Sequence, residues 1–267
     1  MKTETLPVPG ATLHHEVRGT GPLVLLICGG IYDAAGYTGL AERLAVEYTV
    51  VTYDRRGNSR SPLHGPPVRQ SVAEHAEDAH RLIAALGGPA FVFGNSSGAQ
   101  IGLELAVRHP GDVRVLVAHE PPLFDLLPDA GHWRAVAAEV EAAFAAGGAG
   151  QAMGVFAAAM GMAGDEPEPP DDPEAAAVVA RFAANSAFFV GHEVPGFGAH
   201  ETTLPATPVI PLVGAESAGQ PPHRATRALA ARLGTEVTTV PGDHGGFGTH
   251  AAAFATILTE LFQEQPR

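Results

Sequence analysis

The chain has 267 residues, 45% of them apolar, and a formal net charge of -13 from 16 basic and 29 acidic residues. That length and apolar content suit one sizeable core, and the negative balance repels nucleic-acid phosphates and anionic bilayers, so neither is an expected partner. Lys2 is the only lysine, which excludes a Schiff-base or PLP lysine deep in a site and a Walker A lysine. Cys28 is the sole cysteine, so no internal disulfide can form and a reducing compartment is the natural setting. The N-terminus shows no apolar run of signal-peptide length, and the longest apolar run, Leu23 to Cys28, is too short to span a membrane. The expectation is a cytoplasmic protein.

Thr12 to Val17 alternates as an antiparallel strand does, and Leu23 to Cys28 is a fully buried strand ending in Gly29-Gly30. A helix follows from about Ala34 to Val46, then a strand from Tyr48 to Asp54, a Gly/Pro-rich loop to Val68, and a helix from Ser71 to Leu86. That helix gathers Val72, Ala76, Ala79, Leu82, Ile83 and Leu86 on one face. A strand from Pro89 to Phe93, a helix to His109 and a strand from Val113 to Ala118 continue the alternation, which implies right-handed crossovers and a mostly parallel sheet with its chemistry at the carboxyl ends of the strands. From Pro121 to about Pro205 the alternation stops. The sequence there is rich in Ala and Gly around the acidic, Pro-rich stretch Gly164 to Pro173, and it is an expected helical insertion. Two stripes, Val136/Val140/Phe144 and Met153/Phe156/Met160, face packing first and substrate second. Strands at Val209 to Val213 and Glu236 to Val240 then alternate with helices at Arg224 to Leu233 and Ala251 to Gln263.

Ser96 lies in Gly94-Asn95-Ser96-Ser97-Gly98, between the strand ending at Phe93 and the helix that follows. Strand, Gly-x-Ser-x-Gly and helix in that order form a nucleophile elbow, whose sharp turn admits only small neighbours. The helix opening at Ser97 aims backbone N–H groups at the space above Ser96. A serine hydroxyl at neutral pH needs a base to take its proton. His244, in the Gly-rich loop Gly242-Asp243-His244-Gly245-Gly246 after the last strand, is the expected base among 13 histidines.

With these elements and this elbow the chain resembles the α/β-hydrolase superfamily over nearly its whole length, in the serine-nucleophile branch with a helical cap. The expected fold class is therefore α/β, an α/β-hydrolase core of residues 1–121 and 206–267 with a cap of residues 122–205. Cys28-Gly29-Gly30 stands where the family has a His-Gly pair, and the resemblance implies an oxyanion-hole N–H from Gly30 beside that of Ser97. Asp54 to Ser61 is similar to the family's Asp-x-Arg-Gly-x-Gly-x-Ser loop, and His244 stands where the family keeps its histidine. The acid departs from the pattern: after the strand ending at Val213 the chain has Gly214-Ala215-Glu216-Ser217, with serine where the family has Asp. Glu120, in His119-Glu120-Pro121-Pro122, fits the register used by some lipases and is the first choice, with Glu216 the alternative and Asp243 a poor orienter. Candidate substrate contacts are Ile31 after the buried strand, and Trp133, Phe156, His192 and Phe197 in the cap.

What these residues imply is a cofactor-free, esterase-like serine hydrolase acting through an acyl-enzyme on an ester, thioester or lactone of a fairly hydrophobic small molecule. The same scaffold also supports carbon–carbon bond enzymes, lyases and cyclases, and a receptor-like protein without turnover. No metal site is expected, since Glu74, His75, Asp78 and His80 crowd one helix without three converging ligands. A small molecule is the expected partner, and a homodimer is left open.

Overall fold

A computed structural model of the chain describes residues 1–161 and 173–264. In chain order these form β1 (Lys2–Val8), β2 (Ala11–Arg18), β3 (Leu23–Ile27), α1 (Thr38–Leu44), β4 (Thr49–Tyr53), α2 (Val72–Ala85), β5 (Ala90–Asn95), α3 (Ser97–Arg108) and β6 (Val113–His119). After them come α4 (Ala130–Met160), α5 (Pro173–Phe188), α6 (Val194–Phe197), β7 (Val209–Gly214), α7 (Pro221–Leu233), β8 (Thr238–Val240), α8 (Gly246–Thr249) and α9 (Ala251–Gln263). The strands make one sheet in the order β1-β2-β4-β3-β5-β6-β7-β8. β1, β2 and β4 pair antiparallel, and every pairing from β4 onward is parallel.

Fully buried aliphatic runs such as Leu23–Ile27 suit a parallel sheet covered on both faces. Alternate residues feed two cores, because side chains along a strand point to opposite faces. Leu25, Ile27, Val92 and Leu116 meet Leu82 and Ile83 of α2, Ile101 and Leu105 of α3 and Leu229 of α7. On the other face Val24, Leu26, Phe93, Val117 and Leu212 meet Leu40 and Leu44 of α1 and Phe254, Leu258 and Phe262 of α9. Register aligns the strand ends: Ile27 pairs with Gly94, Asn95 with His119, His119 with Leu212, and Gly214 with Val240. The loops after β3, β5, β6, β7 and β8 therefore open at one edge of the sheet, and these are the loops that carry Gly30, Ser96, Glu120, Glu216 and His244.

Between β6 and β7 the chain leaves the sheet for α4, α5, a π-helical turn at Phe189–Glu193, and α6. The acidic stretch from Gly164 to Asp172 lies outside the described residues. α4 corrects one expectation: its 31 residues have a mean hydropathy of 1.3 in the most apolar window, long and apolar enough by length and composition to cross a membrane. Alanine supplies that hydropathy, so no run of large apolar residues announced it. Gly148, at φ 76° and ψ -165°, breaks the helix near its middle, a conformation that only glycine adopts without strain.

Two buried polar contacts tie this insertion to the sheet. Arg55 Nη1 lies 2.6 Å from Glu193 Oε1, both side chains with 0% exposure, and Asn58 Nδ2 donates to the same oxygen at 3.0 Å. Asn185 of α5 donates to the Ile31 carbonyl at 2.9 Å and accepts from the Ser59 backbone N–H at 2.8 Å.

Candidate active site

Ser96 has φ 54° and ψ -128°, a strained backbone conformation for a residue with a side chain, held by what packs around it. Its N–H donates to the His119 carbonyl at 2.8 Å. A Cβ on Gly98 would collide with the Ile27 carbonyl oxygen, and one on Gly29 would collide with the Asn95 carbonyl oxygen and with Ser96 Cβ. Glycine at both positions lets the loop after β3 close onto the elbow. The Gly29-Gly30 peptide is thereby seated beside the first turn of α3, where the Ser97 N–H has no intrahelical acceptor.

The loop after β8 is fixed to the same elbow. Asn95 Nδ2 donates to the His244 carbonyl at 3.1 Å, which ties the half-buried His244 to the residue before Ser96. Its Nδ1 lies 2.7 Å from Glu120 Oε2. Glu120 is fully buried at φ 48°, another strained position. Its other oxygen, Oε1, accepts from the Gly214 N–H at 2.9 Å and from the Ser217 hydroxyl. Burial is the largest single influence on this carboxyl and pushes its pKa up; the hydrogen bonds from His244 and Ser217, with the electrostatic attraction of the His244 ring, outweigh it and bring the pKa down to about 2. Glu120 is thus an anion fixed at both oxygens, and it presents a hydrogen-bond acceptor to His244 Nδ1, which leaves Nε2 as the basic nitrogen. Behind it His119 is buried and held neutral, its pKa pushed down to about 3 by desolvation.

Of the two acids considered from sequence, the structure brings Glu120 to His244 and leaves Glu216 exposed on the loop after β7. Glu216 is one residue short of the inward-facing position. Ser217 takes that position and reaches Glu120. Cys28 is buried, its thiol pushed up to about 12 by desolvation, and it is not a reactive nucleophile. Asp54 and Arg56 brace their loop, Asp54 on the Ala34 N–H and Arg60, Arg56 on Asp78 and Glu74.

A cavity of ≈ 130 Å³ opens beside Ser96 and Ser97. Phe124, Trp133, Phe156, Met160, Phe189 and Phe197 form its apolar wall. Asp125, Arg134 and Glu201 also line it. Asp125 is spent on the Thr202 N–H and hydroxyl at 2.8 Å each, while Arg134 and Glu201 are exposed at the rim. Of the expected substrate contacts, Trp133, Phe156 and Phe197 line this cavity and two others do not. Ile31 gives its carbonyl to Asn185 and lies outside the lining. His192 packs between Phe144 and Phe188, at ring separations of 5.7 and 5.2 Å, and its position inside the insertion explains the error.

His80, His109 and Asp112 have ligand atoms within 4.8 Å of one another. The two rings stack at 3.8 Å and 7°, so their in-plane lone pairs run in parallel planes instead of toward one point. Each ring already has a carboxylate partner, Asp112 for His80 and Glu77 for His109.

The family described as alpha/beta hydrolase fold matches residues 22–186 of the chain. The chain belongs to the α/β-hydrolase fold family. The uncharacterized hydrolase YraK of Bacillus subtilis is 36% identical over 273 residues, 98% of this chain and 97% of that protein. A solved α/β hydrolase from Sphaerobacter thermophilus is 27% identical with a TM-score of 0.67, covering 97% of this chain and all of that one. A thermophilic esterase from Thermogutta terrifontis has a TM-score of 0.72 at 22% identity over 99% of each chain, a likeness of fold. Hydrolase is the class of activity that family membership and the whole-length relative support.

Several residues of this site escaped the sequence reading. Ser217 had a signal, a serine in the family's acid position, but its service to Glu120 depends on the β6–β7 pairing. Asn95, His119, Arg55 and Glu193 gave no pattern, because their partners are distant in sequence.

Proposed function

We propose that the protein is a serine hydrolase that forms and hydrolyses an acyl-enzyme on an ester, thioester or lactone of a fairly hydrophobic small molecule, bound under residues 122–205 acting as a cap. The observation that carries this reading is the Glu120–His244 pair, at 2.7 Å, tied through Asn95 to the strained elbow that bears Ser96. Ser96 Oγ attacks the substrate carbonyl while His244 Nε2 takes its proton, and Glu120 holds Nδ1–H and stabilises the imidazolium that forms. Donors at the start of α3 stabilise the tetrahedral oxyanion. Collapse breaks the bond to the leaving oxygen or sulfur, which receives the proton from His244. Water then attacks the acyl carbonyl, gives its proton to His244, and the second collapse returns the proton to Ser96 and releases the acid. No step calls for a cofactor. The aromatic and aliphatic wall of the cavity supports an apolar acyl or leaving group, and the charged rim supports a polar end that stays in water.

Stopped-flow hydrolysis of p-nitrophenyl butanoate tests the reading. Nitrophenolate should appear in a burst matching the enzyme concentration and then at a steady rate. Ser96→Ala should lose activity on the order of a million-fold, and a variant that keeps its turnover would refute the assignment.

A further inference from the structure

The oxyanion site differs in detail from the arrangement the sequence implies. Gly30 N–H does not point into open space: it donates to Ser97 Oγ at 2.9 Å. A Cβ on Gly29 would press on Ser96 Cβ and lie 2.9 Å from Ser97 N, so this hydrogen bond is made at the mouth of the elbow. Ser97 is buried, at 4% exposure, and lines the cavity together with Ser96. Among the described residues its hydroxyl proton has no acceptor, while its oxygen is held by the Gly30 N–H. A hydroxyl can accept and donate at once, and one that accepts from an N–H is polarised into a better donor.

Gly30 is fixed from its carbonyl side as well. Arg55 Nη2 donates to the Gly30 carbonyl at 2.6 Å, and Arg55 is itself locked to Glu193. Gly30 has φ 53°, a turn that the guanidinium holds from one side and Ser97 from the other. The Gly30 N–H is thereby committed to Ser97 Oγ and not to the space a substrate oxygen would enter.

We propose that the Ser97 side chain is a catalytic group: its hydroxyl, backed by Gly30 N–H, donates to the developing oxyanion alongside the Ser97 backbone N–H. Gly30 then acts on the substrate through Ser97. This rests on the serine-hydrolase reading and goes beyond it, since that reading asks only for backbone donors. During attack the oxyanion gains the Ser97 O–H···O⁻ hydrogen bond, with no proton transferred, and loses it when the carbonyl re-forms.

The test compares the parent with Ser97→Ala, Ser97→Cys and Ser97→Thr in p-nitrophenyl butanoate hydrolysis and in the rate of fluorophosphonate labelling at Ser96. Losing one oxyanion donor costs about 10²–10³-fold in kcat. Ser97→Ala should fall by about that factor with KM nearly unchanged, and labelling should slow in step because the phosphonyl oxygen uses the same donors. Ser97→Cys, which keeps the shape and weakens the donor, should fall in the same direction, and Ser97→Thr should recover part of the alanine loss. Ser97→Ala or Ser97→Cys with parental or raised kcat would overturn the proposal, because it would mean that the hydroxyl merely covers Gly30 N–H. A parent that does not label at Ser96 would overturn the serine-hydrolase reading and this proposal with it; a parent that labels beside an equally fast Ser97→Ala overturns this proposal alone.

Discussion

Replacing Glu120 by glutamine should disable the base without unfolding the protein, and the geometry says how. Oε1 accepts two donors that cannot be withdrawn together, the Gly214 N–H at 2.9 Å and the Ser217 hydroxyl, whereas Oε2 accepts only His244 Nδ1–H at 2.7 Å. A glutamine amide has one acceptor oxygen, and the backbone N–H of β7 requires it at the Oε1 position. Its NH₂ then faces His244 Nδ1 and makes that nitrogen an acceptor, which moves the ring proton to Nε2, the nitrogen that must accept from Ser96. An acid-to-amide change of this kind costs about ten-thousand-fold in kcat, or about 5.5 kcal/mol at 1.4 kcal/mol per tenfold. Steady-state ester hydrolysis measures the loss, and circular dichroism checks that the fold survives. Glu216→Gln, at an exposed position, should stay within about twofold of the parent, the range of an ordinary surface change. A Glu120→Gln variant within tenfold of the parent, or one matched by Glu216→Gln, would refute the tautomer argument.

Three other expectations are open to measurement. The Glu120 pKa is about 2 in the folded protein against an ordinary value of 4.5. A depressed carboxyl stabilises the fold fully above about pH 4.5 and loses that contribution as pH falls to about 2, a difference of roughly 3 kcal/mol. Urea titrations from pH 6 down to pH 2.5 should show this acid limb in the parent and a weaker one in Glu120→Gln; parallel profiles would contradict it. Glu193→Ala strands the buried Arg55 guanidinium and should cost about 3–5 kcal/mol in chemical denaturation, more than a joint Arg55→Met/Glu193→Leu replacement; a mild single-site effect would show that the pair bears little on stability. Extending the acyl chain from acetyl to butanoyl should raise kcat/KM by up to about fourfold per methylene, the equivalent of about 0.8 kcal/mol each, and a flat or falling series would count against the apolar wall as the acyl site.

The parallel core was legible because its residues carry their own signal. Leu23–Ile27 and Val113–His119 are runs that only a doubly covered strand would bury, and Ser71, capping the Glu74 N–H, marks where α2 starts. β1 was not legible: Pro7 interrupts it, most of its residues face solvent, and it is defined by pairing with β2 at the edge of the sheet. α4 was foreseen as helical but not as one 31-residue element, since its alanines have no distinct face. Within the site, Ser96 and His244 could be named because local turns announce them. The choice between Glu120 and Glu216 turned on which backbone points inward after β6 and β7, and that is decided by sheet register. Ile31 and His192 were misjudged for a similar reason: nearness to a site in sequence does not say which way a residue faces.

The proposed function stands on Ser96 being a nucleophile activated by His244 and Glu120. Intact-mass analysis after treatment with a fluorophosphonate tests it most directly, with the parent, Ser96→Ala and Glu120→Gln side by side. A single rapid adduct is expected on the parent, none on Ser96→Ala, and slow labelling of Glu120→Gln. An unlabelled parent, or an adduct that persists in Ser96→Ala, would contradict it.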